Sequence, residues 1–344
     1  MRSIFGVAGG VIVRKIAILT SGGDAPGMNA VIRAATLKGI KAGCKIYGIK
    51  RGYQGLITGE IEELTVETVS DILHRGGTIL HSARSKDFKT GEGQKKALEQ
   101  IEKLGIDGIV VIGGDGSFRG AQILNQLGVA TVGVPATIDN DIGCTDFSIG
   151  FDTALNTVLD AISKIRDTAV SHDRVYVVEV MGKNSGFIAL YAGLGGGADA
   201  VLIPEIPPDL DQLVKRIEEN DQRGRGHSIV IVAEGLFGGP SGGQVLAEGT
   251  AFKVATYINL RTRKDTRITI LGHLQRGGSP SALDRTLGTR FGAVAVDLLL
   301  AGETNKMVGW VKNEIKVSTM DEAIARKNQI DPELYQLVEN LSSV

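Results

Sequence analysis

Short runs of aliphatic and β-branched residues punctuate the chain, and most lead into a glycine-rich turn followed by a helical pattern. Residues 15–20 run into Ser21-Gly22-Gly23-Asp24, after which 28–42 reads as a helix. Residues 109–112 run into Gly113-Gly114-Asp115-Gly116, and 118–127 continue as a helix. Residues 131–134 end at Pro135 and a polar loop, 175–180 give way to Gly182 and a helix, and 229–233 end at Glu234. These runs are continuous rather than alternating, as expected of strands covered on both faces in a parallel sheet. The repeated strand, turn and helix order predicts a doubly wound α/β architecture.

Composition narrows the chemistry. The 344 residues suffice for two domains, and 42% hydrophobic with 22% charged content is that of a globular protein. A formal net charge of −1 gives no global pull toward nucleic acid or an anionic membrane, so any phosphate site must be local. Glycine is in excess at 47 residues, which suits many tight strand-to-helix turns. Cys44 and Cys144 are too few for a disulfide framework or a cysteine-rich metal site. Residues 1–13 read as an extension outside the core, and 237–249, with Pro240 and Ser241, as an exposed loop. The stretch 187–204 is interrupted by Gly195-Gly196-Gly197 and Asp199, which makes it a poor spanning helix, so a soluble protein is expected.

In an open parallel sheet, ligands bind at the carboxyl ends of the strands, where these turns lie. Glycines there free backbone N–H groups to face phosphate oxygens at a helix N-terminus. Carboxylates can hold a divalent cation or accept a hydroxyl proton, and arginines can neutralise phosphate charge. Taken alone, each Gly-Gly-Asp turn could be an ordinary helix entry. The second turn repeats the first with an acid flanked by glycines, and no Lys-Ser or Lys-Thr follows at the spacing of a Walker loop. The loop Pro135-Ala136-Thr137-Ile138-Asp139-Asn140-Asp141 adds two further carboxylates after a buried strand.

Six segments, SGGDAPGMNA (21–30), GGTILHSAR (76–84), IGGDGSFRGA (112–121), PATIDNDI (135–142), VVEVMGKNSG (177–186) and LGHLQRGGSP (271–280), resemble the 6-phosphofructokinases in order and spacing. The resemblance spans roughly residues 14 to 310. It implies two Rossmann-like α/β domains of the phosphofructokinase fold, with the active site in the cleft between them. The nucleotide-binding domain would comprise 14–150 plus about 275–325, and the sugar-phosphate-binding domain 151–274 plus about 326–344. The implied reaction moves a phosphoryl group from MgATP to the 1-hydroxyl of fructose 6-phosphate, a glycolytic step in the cytoplasm. Gly23, Arg84 and Ser85 would meet the nucleotide phosphates, Asp115 would hold Mg²⁺, and Gly114, Gly116, Ser117 and Gly120 would make room for the nucleotide. Thr137 and Asp139 would address the reacting end of the sugar, with Asp139 as general base. Lys183 and Arg84 would support the transferring group. Met181, Gly182 and Glu234 would orient the sugar, and Arg174, Arg267, His273 and Arg276 would clamp its 6-phosphate. Arg174 and Arg267 resemble arginines donated by a neighbouring subunit, which implies a homotetramer with shared active sites and no nucleic-acid or membrane partner.

Some positions depart from the family pattern. Lys183 stands where an Arg is common, keeping the charge and losing the fork. Arg33, Arg166 and Arg225 match arginines of the bacterial regulatory pocket and Asp199 an acid beside it, while Leu37 and Val66 stand where basic residues are usual. Pyrophosphate-dependent members place Asp at the position of Gly116 and Lys at that of Ala136, so ATP is the expected donor. The alternatives are a pyrophosphate-dependent enzyme, a different small-molecule kinase, or an inactive metabolite-binding subunit. The presence of Asp115, Thr137, Asp139 and Asp141 argues against the last.

Overall fold

The computed structural model describes residues 13–238 and 249–342. Most of the expected extension at 1–13 and of the loop at 237–249 therefore lies outside the described residues. The chain divides into two compact units: 1–137, 142–152 and 276–328 form the first, and 138–141, 153–275 and 329–344 the second. The short segment 138–141, expected with the nucleotide-binding part, groups with the second unit.

In chain order the strands are β1 (Lys15–Ser21), β2 (Lys45–Ile49), β3 (Ile61–Leu64), β4 (Gly108–Gly113), β5 (Ala130–Pro135), β6 (Val175–Val180), β7 (Ala200–Leu202), β8 (Ser228–Ala233), β9 (Thr266–Ile270), β10 (Lys306–Val311) and β11 (Glu314–Thr319). The α-helices are α1 (Met28–Lys41), α2 (Gly52–Thr58), α3 (Val66–Val69), α4 (Gly91–Leu104), α5 (Asp115–Gln126), α6 (Phe151–His172), α7 (Phe187–Gly196), α8 (Leu210–Gln222), α9 (Thr250–Thr262), α10 (Ala282–Leu300), α11 (Met320–Ala325) and α12 (Pro332–Leu341).

The first unit holds a seven-stranded sheet in the order β11-β10-β5-β4-β1-β2-β3. Its centre is parallel: β1 pairs with β2 and β4, and β4 with β5. The side chains of β4 are buried along its whole length, which is why that segment reads as an unbroken apolar run. Both edges are antiparallel, β3 on β2 and β11 on β10, and both carry charged or polar residues. Such edges discourage pairing with other chains. The β10–β11 hairpin turns on Lys312 and Asn313, at φ 50° and 65°, the primed turn that matches strand twist. Leu19, Val111, Phe118, Leu124 and Met307 form part of the core on one face of this sheet.

The second unit holds a four-stranded parallel sheet in the order β7-β8-β6-β9. Val177, Val230, Val232, Val254 and Ile258 pack into its core. Both sheets thus follow the expected rule that successive strand ends, with their turns, gather along one edge. Among the described residues no helix is long and apolar enough to cross a membrane.

Candidate active site

In the first unit, β1 and β4 are neighbours, with Ser21 opposite Gly113, so the two Gly-Gly-Asp turns leave the sheet side by side. They are tied together, since the buried Ser117 hydroxyl donates to the Ser21 carbonyl at 2.9 Å. The Tyr53 hydroxyl donates to the Ser117 carbonyl at 2.6 Å, and its ring stacks on Phe88 at 4.4 Å. Full burial pushes the Tyr53 phenol well above its ordinary pKa, so it remains a donor. Asp115 is the first residue of α5, and Gly114 supplies no side-chain cap. Its carboxylate therefore stands at the helix N-terminus, where the backbone dipole favours negative charge. It accepts a hydrogen bond from Arg119 Nε at 3.1 Å, in a pair whose side chains are 37% and 58% exposed.

The glycines of these turns have different reasons. A Cβ on Gly116 would meet no atom within 4 Å, so a side chain there would project into free space. A Cβ on Gly120 would lie 2.5 Å from the Tyr53 ring, so the room this glycine makes is filled by Tyr53 rather than by a ligand. A Cβ on Gly23 would lie 2.6 Å from Arg276 Nη1, and that guanidinium donates to the Asp24 carbonyl at 3.1 Å. Arg276, expected in the sugar-phosphate clamp, is therefore seated against the first glycine turn.

The segment carrying Arg84 is held beside the end of β1. Thr20 Oγ1 donates to the His81 carbonyl at 2.7 Å, and Ser82 Oγ to the Gly22 carbonyl at 2.5 Å. Arg84 itself is exposed. The Ser85 hydroxyl is used locally, donating to Gln54 Oε1 at 2.8 Å and accepting from the Phe88 N–H at 3.1 Å. The acidic loop that follows β5 starts close by: Gly113 pairs with Pro135, and a Cβ on Gly114 would stand 3.7 Å from the Thr137 side chain. Ser148 Oγ donates to the Thr137 carbonyl at 2.6 Å, fixing the backbone two residues before Asp139.

In the second unit, the candidate residues gather at the carboxyl ends of β6 and β8. Gly182 has φ 136°, and a Cβ there would strike the Ser185 carbonyl at 2.3 Å, so only glycine fits. Lys183 follows at φ 59°, an unusual left-handed conformation for a lysine, with its side chain exposed. Its N–H donates to Glu234 Oε1 at 2.8 Å, which orients that carboxylate across the end of the sheet. The buried Met181 donates its N–H to Gln275 Oε1 at 3.2 Å. Ser185 Oγ donates to the Asp139 carbonyl at 3.1 Å and so tethers the acidic loop. Glu179, within β6, accepts the Ala251 N–H at 2.8 Å. Burial raises its carboxyl above the ordinary range, the Ala251 bond works against this, and the neighbouring Glu234 charge adds to it.

Of the four residues expected to clamp one phosphate, Arg276 belongs to the first unit and the other three to the second, where Arg174 and Arg267 stand apart from His273. Arg276 lies at the first glycine turn, and the exposed His273 follows the carboxyl end of β9. Arg174 and Arg267 lie at the amino edge of the four-stranded sheet, where both donate to Asp265, at 2.7 and 2.9 Å. The six residues of β6 separate Arg174 from Met181, seven steps of roughly 3.3 Å or about 23 Å. That distance is beyond the reach of an arginine side chain. Of the regulatory-pocket matches, Arg225 pairs with Asp199, which also accepts from the Ile229 N–H at 2.8 Å. Arg166 donates to the carbonyls of Gly196 and Gly197 at the end of α7.

Tyr53, Ser148, Ser185 and Asp265 carried no sequence expectation. Three of them act through backbone carbonyls of distant segments, which leaves no local pattern. Asp265 had a visible signal, as the one acid within the basic run 261–267.

Residues 15–299 match the family profile described as phosphofructokinase. The chain is 54% identical over 330 residues to the ATP-dependent 6-phosphofructokinase of Halalkalibacterium halodurans, covering 96% of this chain and all of that protein. It is 52% identical, with the same coverage, to that of Brevibacillus brevis. Among solved structures, phosphofructokinase from Saccharomyces cerevisiae superposes with a TM-score of 0.82 at 34% identity, and this chain spans 47% of the yeast chain. A pyrophosphate-dependent phosphofructokinase from Marinobacter aquaeolei gives a TM-score of 0.79 at 21% identity, covering 95% of this chain and 91% of that one. That likeness speaks to the fold alone.

Proposed function

The chain belongs to the phosphofructokinase family, and on that premise we propose that it transfers the γ-phosphoryl group of ATP to the 1-hydroxyl of fructose 6-phosphate. The products are fructose 1,6-bisphosphate and ADP, which makes it a glycolytic kinase, and we place it in the cytoplasm. The observation that carries the donor side is the pair of cross-bonded turns at β1 and β4, with Asp115 opening α5 and free space over Gly116.

Asp115 fits a magnesium ion. Mg²⁺ is commonly held by one or two carboxylates together with substrate phosphates and water, and this turn offers one half-exposed carboxylate. Bound there, the ion would offset charge on the donor phosphates. The Arg119 pair on Asp115 is exposed, so opening it costs little, about 0.2–1 kcal/mol. The backbone N–H groups at the start of α5 face the donor phosphates, and Arg84 supplies a guanidinium for their charge. Asp139 takes the proton of the 1-hydroxyl as the new O–P bond forms, with Thr137 beside it. Lys183 adds a cation for the transferring group. Met181, Gly182, Glu234 and His273 address the sugar, and Arg276 addresses the region of the first turn.

ATP rather than pyrophosphate is supported by two positions. Gly116 leaves its surroundings open. Ala136 brings no charge to a position where a lysine would favour a small anionic donor. The family resemblance implies that Arg174 and Arg267 serve the sugar phosphate of a second copy of the chain, and their place a strand length from Met181 supports that reading. A homotetramer with shared sites accommodates this.

The test is formation of fructose 1,6-bisphosphate from fructose 6-phosphate and Mg²⁺, with ATP and pyrophosphate in parallel. Turnover with ATP alone is expected. Turnover with pyrophosphate alone overturns the donor assignment, and silence in both transfers the weight to another acceptor or to a binding-only role.

A further inference from the structure

We propose that Asp265 is a positioning residue that holds Arg174 and Arg267 as a pair, so that a sugar phosphate bound by a second copy of the chain meets both guanidiniums at once. This rests on the reading that the two arginines serve such a phosphate.

One carboxylate oxygen, Asp265 Oδ2, accepts from both arginines: from Arg174 Nε at 2.7 Å and from Arg267 Nη2 at 2.9 Å. The backbone fixes the three in register. Arg174 directly precedes β6, Asp265 directly precedes β9, and the Val175 N–H donates to the Asp265 carbonyl at 3.1 Å. Arg267 is opposite Tyr176 on the adjacent strand. A guanidinium carries five N–H donors in a fixed fork, so one bond to Asp265 orients each group and leaves further donors for a phosphate. Two neighbouring cations repel, and the carboxylate between them offsets that repulsion. Partial desolvation works against the Asp265 carboxylate, and the two guanidiniums outweigh it, so its carboxyl lies below the ordinary range. The trio has a net charge of +1 and still attracts an anion.

Charge and positioning make opposite predictions. Replacing Asp265 by a neutral residue raises the local charge from +1 to +2. If the carboxylate only diluted the positive field, Asp265→Asn would tighten binding of an anionic substrate. If it positions the arginines, the same change lets them separate, and binding weakens despite the added charge.

The experiment measures steady-state kinetics of purified wild type, Asp265→Asn, Asp265→Glu, Arg174→Ala and Arg267→Ala. For Asp265→Asn the KM for fructose 6-phosphate should rise roughly tenfold, with kcat within about threefold and the KM for ATP unchanged. Asp265→Glu should recover most of that loss. A KM that is unchanged or lower in Asp265→Asn, while the arginine variants are impaired, overturns the role of Asp265 alone. If neither arginine variant shifts the KM for fructose 6-phosphate, the reading of the arginines fails instead. The second-copy aspect is tested by co-expressing differently tagged Asp265→Asn and Asp139→Asn chains and isolating doubly tagged assemblies. Sites that combine the intact base of one chain with the intact trio of the other should show the wild-type KM. A KM that stays raised, or the absence of any doubly tagged assembly, overturns action across copies.

Discussion

Gly116 offers a perturbation in which stability and activity should part company. An aspartate there would place its Cβ in open space, with no atom within 4 Å to displace. Gly116 is the second residue of α5, and replacing glycine within a helix removes a penalty of about 0.5–1 kcal/mol. An acid in the first turn also interacts favourably with the helix dipole, by about 0.3–1 kcal/mol. Gly116→Asp should therefore leave the midpoint of urea unfolding unchanged or slightly higher. The same carboxylate would stand beside the donor phosphates. For one unit charge at about 5 Å, repulsion is about 0.8 kcal/mol in bulk water and about 3.3 kcal/mol at an effective dielectric constant of 20. At 1.4 kcal/mol per factor of ten, this corresponds to roughly a 4- to 200-fold fall in kcat/KM for ATP. The KM for fructose 6-phosphate should stay within about twofold. The assays are urea denaturation and ATP-dependent kinetics on the same preparation. An unchanged kcat/KM for ATP would refute the placement of donor phosphates at α5. A lowered unfolding midpoint would refute the claim that the space over Gly116 is free.

Three further perturbations test neighbouring parts of the same picture. Asp139→Asn should reduce kcat by about 10²–10⁴-fold while the KM for fructose 6-phosphate stays within about tenfold, because the proton acceptor is lost and the shape is kept; near-normal turnover would remove Asp139 as the base. Gly120→Ala should cost about 1–3 kcal/mol of stability, since its Cβ would lie 2.5 Å from the Tyr53 ring, and a variant as stable as wild type in urea would show that this contact does not constrain the helix. Glu179 has a carboxyl raised above its unfolded value, chiefly by burial, so the folded state binds more protons and stability falls as pH rises from the ordinary carboxyl range through the raised one. Glu179→Gln keeps an acceptor for the Ala251 N–H and removes that loss, so its stability relative to wild type should increase between pH 5 and pH 8; a constant difference across that range would contradict the assignment.

The site was legible in part because its chemistry sits in local turns. A Gly-Gly-Asp turn after a buried strand is a short-range pattern, and its occurrence at both Asp24 and Asp115 implied two such turns at one sheet edge. The strand pairing of Ser21 with Gly113 realises that arrangement. The braces were not legible. Ser117 to Ser21, Tyr53 to Ser117, Ser148 to Thr137 and Ser185 to Asp139 link positions from 11 to 96 residues apart, and each ends on a backbone carbonyl that any residue type would offer. The reasons for particular glycines were equally hidden. Gly116, Gly120 and Gly23 look alike in a motif, yet one faces open space, one a tyrosine ring and one a guanidinium.

By itself the sequence determined the alternation of buried strands and helices, the parallel sheets and the chemical types at the turns. These follow from hydrophobic period, glycine and charge within windows of a dozen residues. It also carried enough linked motifs to place the chain in its family. Only the tertiary structure decided which sheet each strand joined, how the antiparallel edges closed the larger sheet, and which residues share an end of a strand. It separated Arg174 and Arg267 from Met181 by the length of β6 and joined them through Asp265. The physical reason is that strand order and register arise from packing between segments far apart in the chain. No local propensity encodes whether a side chain emerges at the amino or the carboxyl edge of a neighbouring strand.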